Sequence, residues 1–201
     1  MKTICFATTN SAAKGITSDK TVVNKDAFEK LSWVLRARTS DKDEAERFWQ
    51  ARLLHTRDNY IFCTDTFRIH RLSYSPSFFF LDSDSFYIVV KQTSNIVVLE
   101  KHNAIPNKED FDVEKYFSDD YEEVFELNDL YYSEVSFVCE TMFGFAFHIQ
   151  KMFNPKYFYD AYIYSNKKWS GKVKILDKPA KHAYCWLSSG EFEAIIVSMC
   201  Q

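Results

Sequence analysis

The groups through which this chain could do chemistry are its histidines, its loop aspartates, its cysteines and one Ser-Ser-Gly turn. His55, His70, His102, His148 and His182 share no metal-ligand spacing. His70 and His148 fall in predicted strands, where a histidine is ordinarily a satisfied core or edge residue. Asp82 with Asp84, and Asp119 with Asp120, are paired acids that could hold a cation, and a metal-dependent nuclease would need such a pair. Loop acids are far more often simply solvated. Ser188-Ser189-Gly190-Glu191 reads as a turn between strands and not as a nucleophile elbow, because no helix follows it. Cys5, Cys63, Cys139, Cys185 and Cys200 are odd in number and contain no Cys-x-x-Cys pair, which argues against a disulfide framework or a zinc site. Cys63, Cys139 and Cys185 lie in apolar runs and read as small core residues. No pattern demands catalysis. The expectation is a protein that is not an enzyme, with no catalytic residue, no bound metal and no cofactor.

The remaining chemistry is charge. The net charge is only −3, but its distribution is uneven. Glu109, Asp110, Asp112, Glu114, Asp119, Asp120, Glu122, Glu123, Glu126 and Asp129 face a single Lys115 within residues 109–129. Lys151, Lys156, Lys167, Lys168, Lys172, Lys174, Lys178 and Lys181 then face only Asp160 and Asp177. The pattern suggests a molecule with an acidic and a basic face; the plainer alternative is a solvated surface whose charges happen to segregate.

These groups need a scaffold, and 46% hydrophobic with 17% aromatic residues is ample for a core among 201 residues. Phe and Tyr favour strands, because flat side chains pack well on a pleated, half-buried surface. With only 4 Gly and 4 Pro, a Gly-rich phosphate loop and a long flexible linker are both disfavoured. No run approaches the roughly 18 apolar residues that span a membrane, and Met1–Phe6 is too short for a signal peptide. A cytoplasmic protein with no membrane partner is expected.

The spacing predicts a strand at 3–8, a loop from Ser11 to Lys20, and a helix over 25–38 capped by Asn24, with Ala27, Phe28, Leu31, Val34 and Leu35 on its apolar face. Strands are predicted at 51–56, at 60–64 after an Asp58-Asn59 turn, and at 67–74, the last with an alternation that fits an exposed strand. A hairpin joins 86–90 to 96–100. Residues 103–131 read as irregular, with a short helix near 111–117. Strands at 135–139 and 143–149 precede a second helix, which opens at Asn154-Pro155 and runs to about Asn166. On it Lys156, Asp160, Ile163 and Lys167 share one face, and Phe153, Tyr157, Ala161 and Tyr164 another. Strands at 172–176, 183–187 and 192–198 end the chain. The order echoes itself as two units, each a helix followed by a meander.

Phe153-Asn154-x-x-Tyr157-x-x-Asp160 with its three following strands, and the terminal Val197-Ser198-Met199, resemble the last half-domain of the bacterial DNA polymerase III beta subunit, the sliding clamp. In that family the helix opens Phe-Asn-x-x-Tyr-Leu-x-Asp. Cys63-Thr64-Asp65-Thr66-Phe67-Arg68-Ile69-His70 resembles the clamp's Ala-Thr-Asp-Gly-His-Arg-Leu, Val22–Leu31 resembles a clamp-domain opening, and Tyr116–Val124 a domain-ending Phe-Pro-x-Tyr segment. The matches cover most of residues 22–201 in order. The chain departs from the family in having Thr66 where the motif has Gly, in its terminal residues, in lacking a helix before residue 86, and in being shorter than a three-domain clamp.

The resemblance implies an α+β, DNA-clamp-like fold: helix-plus-β-meander units with two main helices on one face of a curved antiparallel sheet. Residues 1–21 would be an N-terminal extension, 22–100 a first unit, 101–131 an acidic connection and 132–201 a second unit. It implies a non-enzymatic processivity module that holds duplex DNA without regard to sequence, recruits replication or repair proteins by their clamp-binding peptides, and self-associates edge to edge. The DNA contacts would be Lys30, Arg36, Lys156, Lys167 and Lys168, and the peptide pocket Thr64, Phe67, Arg68, Ile69, Val197 and Met199. The alternative is a clamp-fold module for protein–protein interaction alone, without DNA binding.

Overall fold

The computed structural model describes residues 2–39, 49–74, 76–104, 113–117, 123–127, 153–162, 169–175 and 183–198. The fold is α+β, and the chain divides into a unit of residues 1–65 with 71–111 and a unit of residues 66–70 with 112–201. The predicted strands at 135–139 and 143–149 lie outside the described residues.

In the first unit β1 (Thr3–Ala7), β2 (Lys20–Val23), β3 (Leu53–Arg57), β4 (Tyr60–Thr64), β6 (Ser85–Gln92) and β7 (Ile96–Lys101) are ordered β2-β1-β7-β6-β3-β4. Pairing is antiparallel except between β1 and β2, which run parallel. The loop expected at Ser11–Lys20 contains part of a short helix, α1 (Asn10–Ala13), and ends at β2. Residues 1–21 therefore contribute an interior strand, β1, to this sheet. β1 is apolar on both faces because both are covered. Cys5 packs with Ile96 and Val98 against Ala12 and Ile16, while Ile4 and Phe6, alternating to the other face, are equally buried.

Helix α2 (Lys25–Leu35) starts as its sequence dictates: the Asn24 side chain accepts from the Ala27 amide at 3.1 Å. The five apolar residues predicted for its inner face are buried, and Trp33 joins them. The helix packs on β1, β4 and β7 and ends earlier than expected, in turns after Leu35. A 3-10 turn (Trp49–Arg52) occupies the start of the strand predicted at 51–56. The Asp58-Asn59 turn is present, with Asp58 in the left-handed region that short polar residues tolerate. The segment before residue 86, too short and β-prone for a helix by sequence, forms one turn of helix, α3 (Pro76–Phe79).

Strand β5 (Arg68–Ser73) is divided, residues 68–70 falling in the second unit and 71–73 in the first. It was expected to be exposed and is buried along nearly its whole length. The polar alternation misleads because arginine stems are long apolar chains that lie along other side chains. The Arg71 guanidinium sits 4.3 Å from the Tyr60 ring centroid.

In the second unit the order is β5-β11-β10-β9-β8, with β8 (Glu123–Leu127), β9 (Trp169–Ile175), β10 (Ala183–Ser189) and β11 (Phe192–Val197) mutually antiparallel. β8 was not anticipated: an acid-rich strand reads as loop, yet charge suits a strand at the end of a sheet, where it deters pairing with other chains. The short helix expected near 111–117 is a 3-10 turn at Glu114–Tyr116. Cys185, Leu187, Phe192, Ala194 and Ile196 form the buried face of β10 and β11. Their hairpin turns at Gly190, as the Ser-Ser-Gly-Glu motif predicts, with φ of +61° that favours glycine. Helix α4 (Pro155–Tyr162) packs on β11. The Asn154 side chain accepts from the Lys156 amide at 3.0 Å, and Phe153 meets Phe158 edge-on. Residues 163–166 of the predicted helix are outside the described set.

Candidate nucleic-acid and peptide interface

The resemblance-bearing segments meet in the second unit. Arg68, from the Thr-Asp-Thr-Phe-Arg segment, forms a buried ion pair with Asp160 of α4, 92 residues away. Its guanidinium also lies 4.4 Å from the centroid of Tyr157, one turn earlier on the helix. Asp160, which shares a helix face with Lys156 by spacing, is buried, and the Arg68 guanidinium compensates a carboxylate that has left water. Arg68, expected to line a peptide pocket, is buried in this contact. Ile69 is buried as well.

Phe67 is different: the residue is 47% exposed. Its carbonyl accepts from the Val197 amide at 2.8 Å, which brings the half-buried Val197 and the partly exposed Phe67 into one neighbourhood. Thr66, just before it, has φ of +74°. That is the left-handed backbone for which the family's motif uses Gly, and a β-branched residue occupies it only under strain. Thr64 is buried at the end of β4 in the first unit, and Met199 lies outside the described residues.

Of the five cations assigned to DNA, Arg36 at the end of α2 and Lys156 in the first turn of α4 are exposed. Lys30 is only 17% exposed; it pairs with Asp26 at 2.8 Å and rests over the Phe78 ring at 5.1 Å. Lys167 and Lys168 lie outside the described residues.

Several of the groups considered for catalysis lie among the described residues. Asp82 pairs with two ammonium groups, Lys2 at 2.6 Å and Lys101 at 2.9 Å. Hydrogen bonds from Lys101 and then Lys2 hold its carboxyl below the usual range. His55 donates from Nε2 to the Gln50 carbonyl at 2.8 Å, stacks on Phe62 and meets the edge of Phe86; burial pushes its pKa down to about 4. An oxygen acceptor and a low pKa together identify the neutral ring with its proton on Nε2, which therefore donates. His70 is fully buried. Burial pushes the Cys63 thiol up to about 12 and that of Cys185 higher still, which disfavours the thiolate in both. No set of three His, Cys, Asp or Glu side chains is gathered as a metal site among the described residues. His148, His182, Asp119 and Asp120 lie outside them. No helix among the described residues is long and apolar enough to cross a membrane. Sequence reasoning missed the Arg68–Asp160 pair; the available signal was that each residue belongs to a segment matching the same family.

No family model and no curated protein matches the chain. Among solved structures it aligns with a putative DNA polymerase III beta subunit from Eubacterium rectale ATCC 33656, at TM-score 0.49 and 11% identity over 88% of this chain and 64% of that one. It also aligns with the DNA polymerase III beta chain of Streptococcus pneumoniae TIGR4, at TM-score 0.49 and 10% identity over 88% of this chain and 63% of that one. The chain thus spans less than two thirds of the length of either protein. Both structures are named for the family that the sequence motifs resemble.

Proposed function

We propose that the chain is a sliding-clamp-like, non-enzymatic module of the cytoplasm that associates with duplex DNA through phosphate contacts, binds peptides of replication or repair proteins, and acts as an oligomer. The observation that carries this reading is the buried Arg68–Asp160 contact, which joins the two segments of strongest clamp resemblance into one structural element. Exposed Arg36 and Lys156 suit contacts that neutralise phosphate without reading bases. Exposed Phe67 beside Val197 suits an apolar anchor for a short peptide.

A second reading, protein interaction without DNA binding, is favoured by Lys30, which is turned onto Asp26 and Phe78. Fluorescence anisotropy with duplexes of unrelated sequence separates the two. The DNA reading expects equal affinity for each duplex and a steep fall with salt, as each neutralised phosphate releases counterions. It also expects the combined Lys156→Glu, Lys167→Glu, Lys168→Glu variant to lose binding while keeping its circular dichroism spectrum. No binding by the parent at low salt, or equal binding by the variant, leaves the interaction module.

A further inference from the structure

The first unit holds an open cavity of about 320 Å³ lined by Lys2, Asp84, Ser85, Lys101, His102 and their neighbours. It lies at the ends of strands, where backbone hydrogen bonds fix the main chain around it. The Lys101 amide donates to the Lys2 carbonyl at 2.9 Å, and the His102 amide to the Phe86 carbonyl at 2.8 Å. Asp82 draws both ammonium groups together, one on each carboxylate oxygen. An ammonium has three N–H donors. Lys2 uses one on Asp82 and one on the Phe80 carbonyl, and Lys101 one on Asp82, so N–H donors are left over on both among the described residues. The His102 Nδ1 accepts from the Ala104 amide at 3.0 Å, which places the proton of the neutral ring on Nε2 as a further donor. Asn103 adds a side-chain amide, and the one carboxylate in the described lining is the exposed Asp84, with one oxygen bonded to the Ser83 hydroxyl.

We propose that this cavity binds the phosphate group of a small phosphorylated ligand or inorganic phosphate. Lys2, Lys101 and His102 would donate to its oxygens, and Asp84 would accept from its P–OH. The carboxylate matters for selectivity. Hydrogen phosphate, or a phosphomonoester in the singly protonated form it holds below its second pKa of about 6, can donate to it, whereas sulfate and the internal phosphodiesters of DNA carry no proton and are repelled. The site is therefore separate from the duplex contacts proposed above.

The test is amide NMR of the full chain at constant ionic strength and at about pH 6, where the monoester still carries its proton in part, following Ser85 and Lys101–Ala104 during titration with inorganic phosphate, glycerol 3-phosphate, sulfate or a short duplex. The expected result is saturable shifts with phosphate or the monoester, at least tenfold weaker with sulfate, and none at these amides with duplex. A response to inorganic phosphate alone assigns the free ion, and a tighter response to the monoester assigns the phosphorylated molecule. Lys101→Met should weaken phosphate at least tenfold, and Lys2→Met replaces it if that variant fails to fold. Asp84→Asn should bring sulfate level with phosphate. Shifts that rise linearly for every anion, or saturate only with duplex, overturn the proposal, as does an Asp84→Asn variant that still prefers phosphate.

Discussion

In the second unit Arg68 meets Asp160 with side chains only 6% and 12% exposed. In the first, Asp82 meets Lys2 and Lys101 with side chains 40% and 37% exposed. The bonding is alike and the consequences are not. The exposed cluster exchanges water for ammonium at little net gain, typically within about 1 kcal/mol. The buried pair has lost its water, so each partner depends on the other, and removing one leaves an uncompensated charge. The difference separates what holds the fold from what remains free to meet a ligand.

The largest effect should come from breaking the buried pair. Asp160→Ala is expected to destabilise by about 3–5 kcal/mol in urea unfolding. Replacing both partners, Arg68→Met with Asp160→Leu, should recover most of that loss, since a buried ion pair is often no better than an apolar one. A double variant as unstable as the single one would mean that the pair supplies net stability.

The next effect lies in the first unit and concerns His55. Its pKa is about 4 when folded against the ordinary 6.5, so the unfolded chain binds the proton more readily. Stability is therefore complete above pH 6.5 and falls as pH drops from there towards 4, by about 3 kcal/mol. Unfolding free energies across this range should show that limb, and His55→Gln should flatten it. A limb of unchanged size in the variant would assign it to other groups.

The smallest effect is expected at the exposed cluster. Asp82→Asn should cost no more than about 1 kcal/mol, and less at high salt. The Asp82 pKa is depressed on folding, so its contribution is present above the ordinary carboxylate value near 3.8 and is lost as pH falls through the lower folded value. That window lies below the His55 limb, so the two can be told apart in one pH series. A cost above 3 kcal/mol would erase the contrast between the regions.

Local interactions were legible in the residue order. Asn24 and Asn154-Pro155 cap helices through side-chain oxygens acting on amides two or three residues away, so no distant part of the chain is needed. The hairpins at Asp58-Asn59 and Gly190-Glu191, and the apolar face of α2, follow from equally short-range rules. The chain also carried the clamp-like motifs and their order. What only the tertiary structure decided was where the polar residues went. Arg68 and Asp160 are 92 positions apart, and nothing local distinguishes a buried pair from two solvated charges. The β5 alternation suggested exposure, yet its arginines lie over Tyr60 and Tyr157. Asp82 resembled a cation ligand until the strand ends delivered Lys2 and Lys101 to it. The reason is common to all three: a charged side chain is settled by whichever partner the fold brings within hydrogen-bond range, and that partner is remote in sequence.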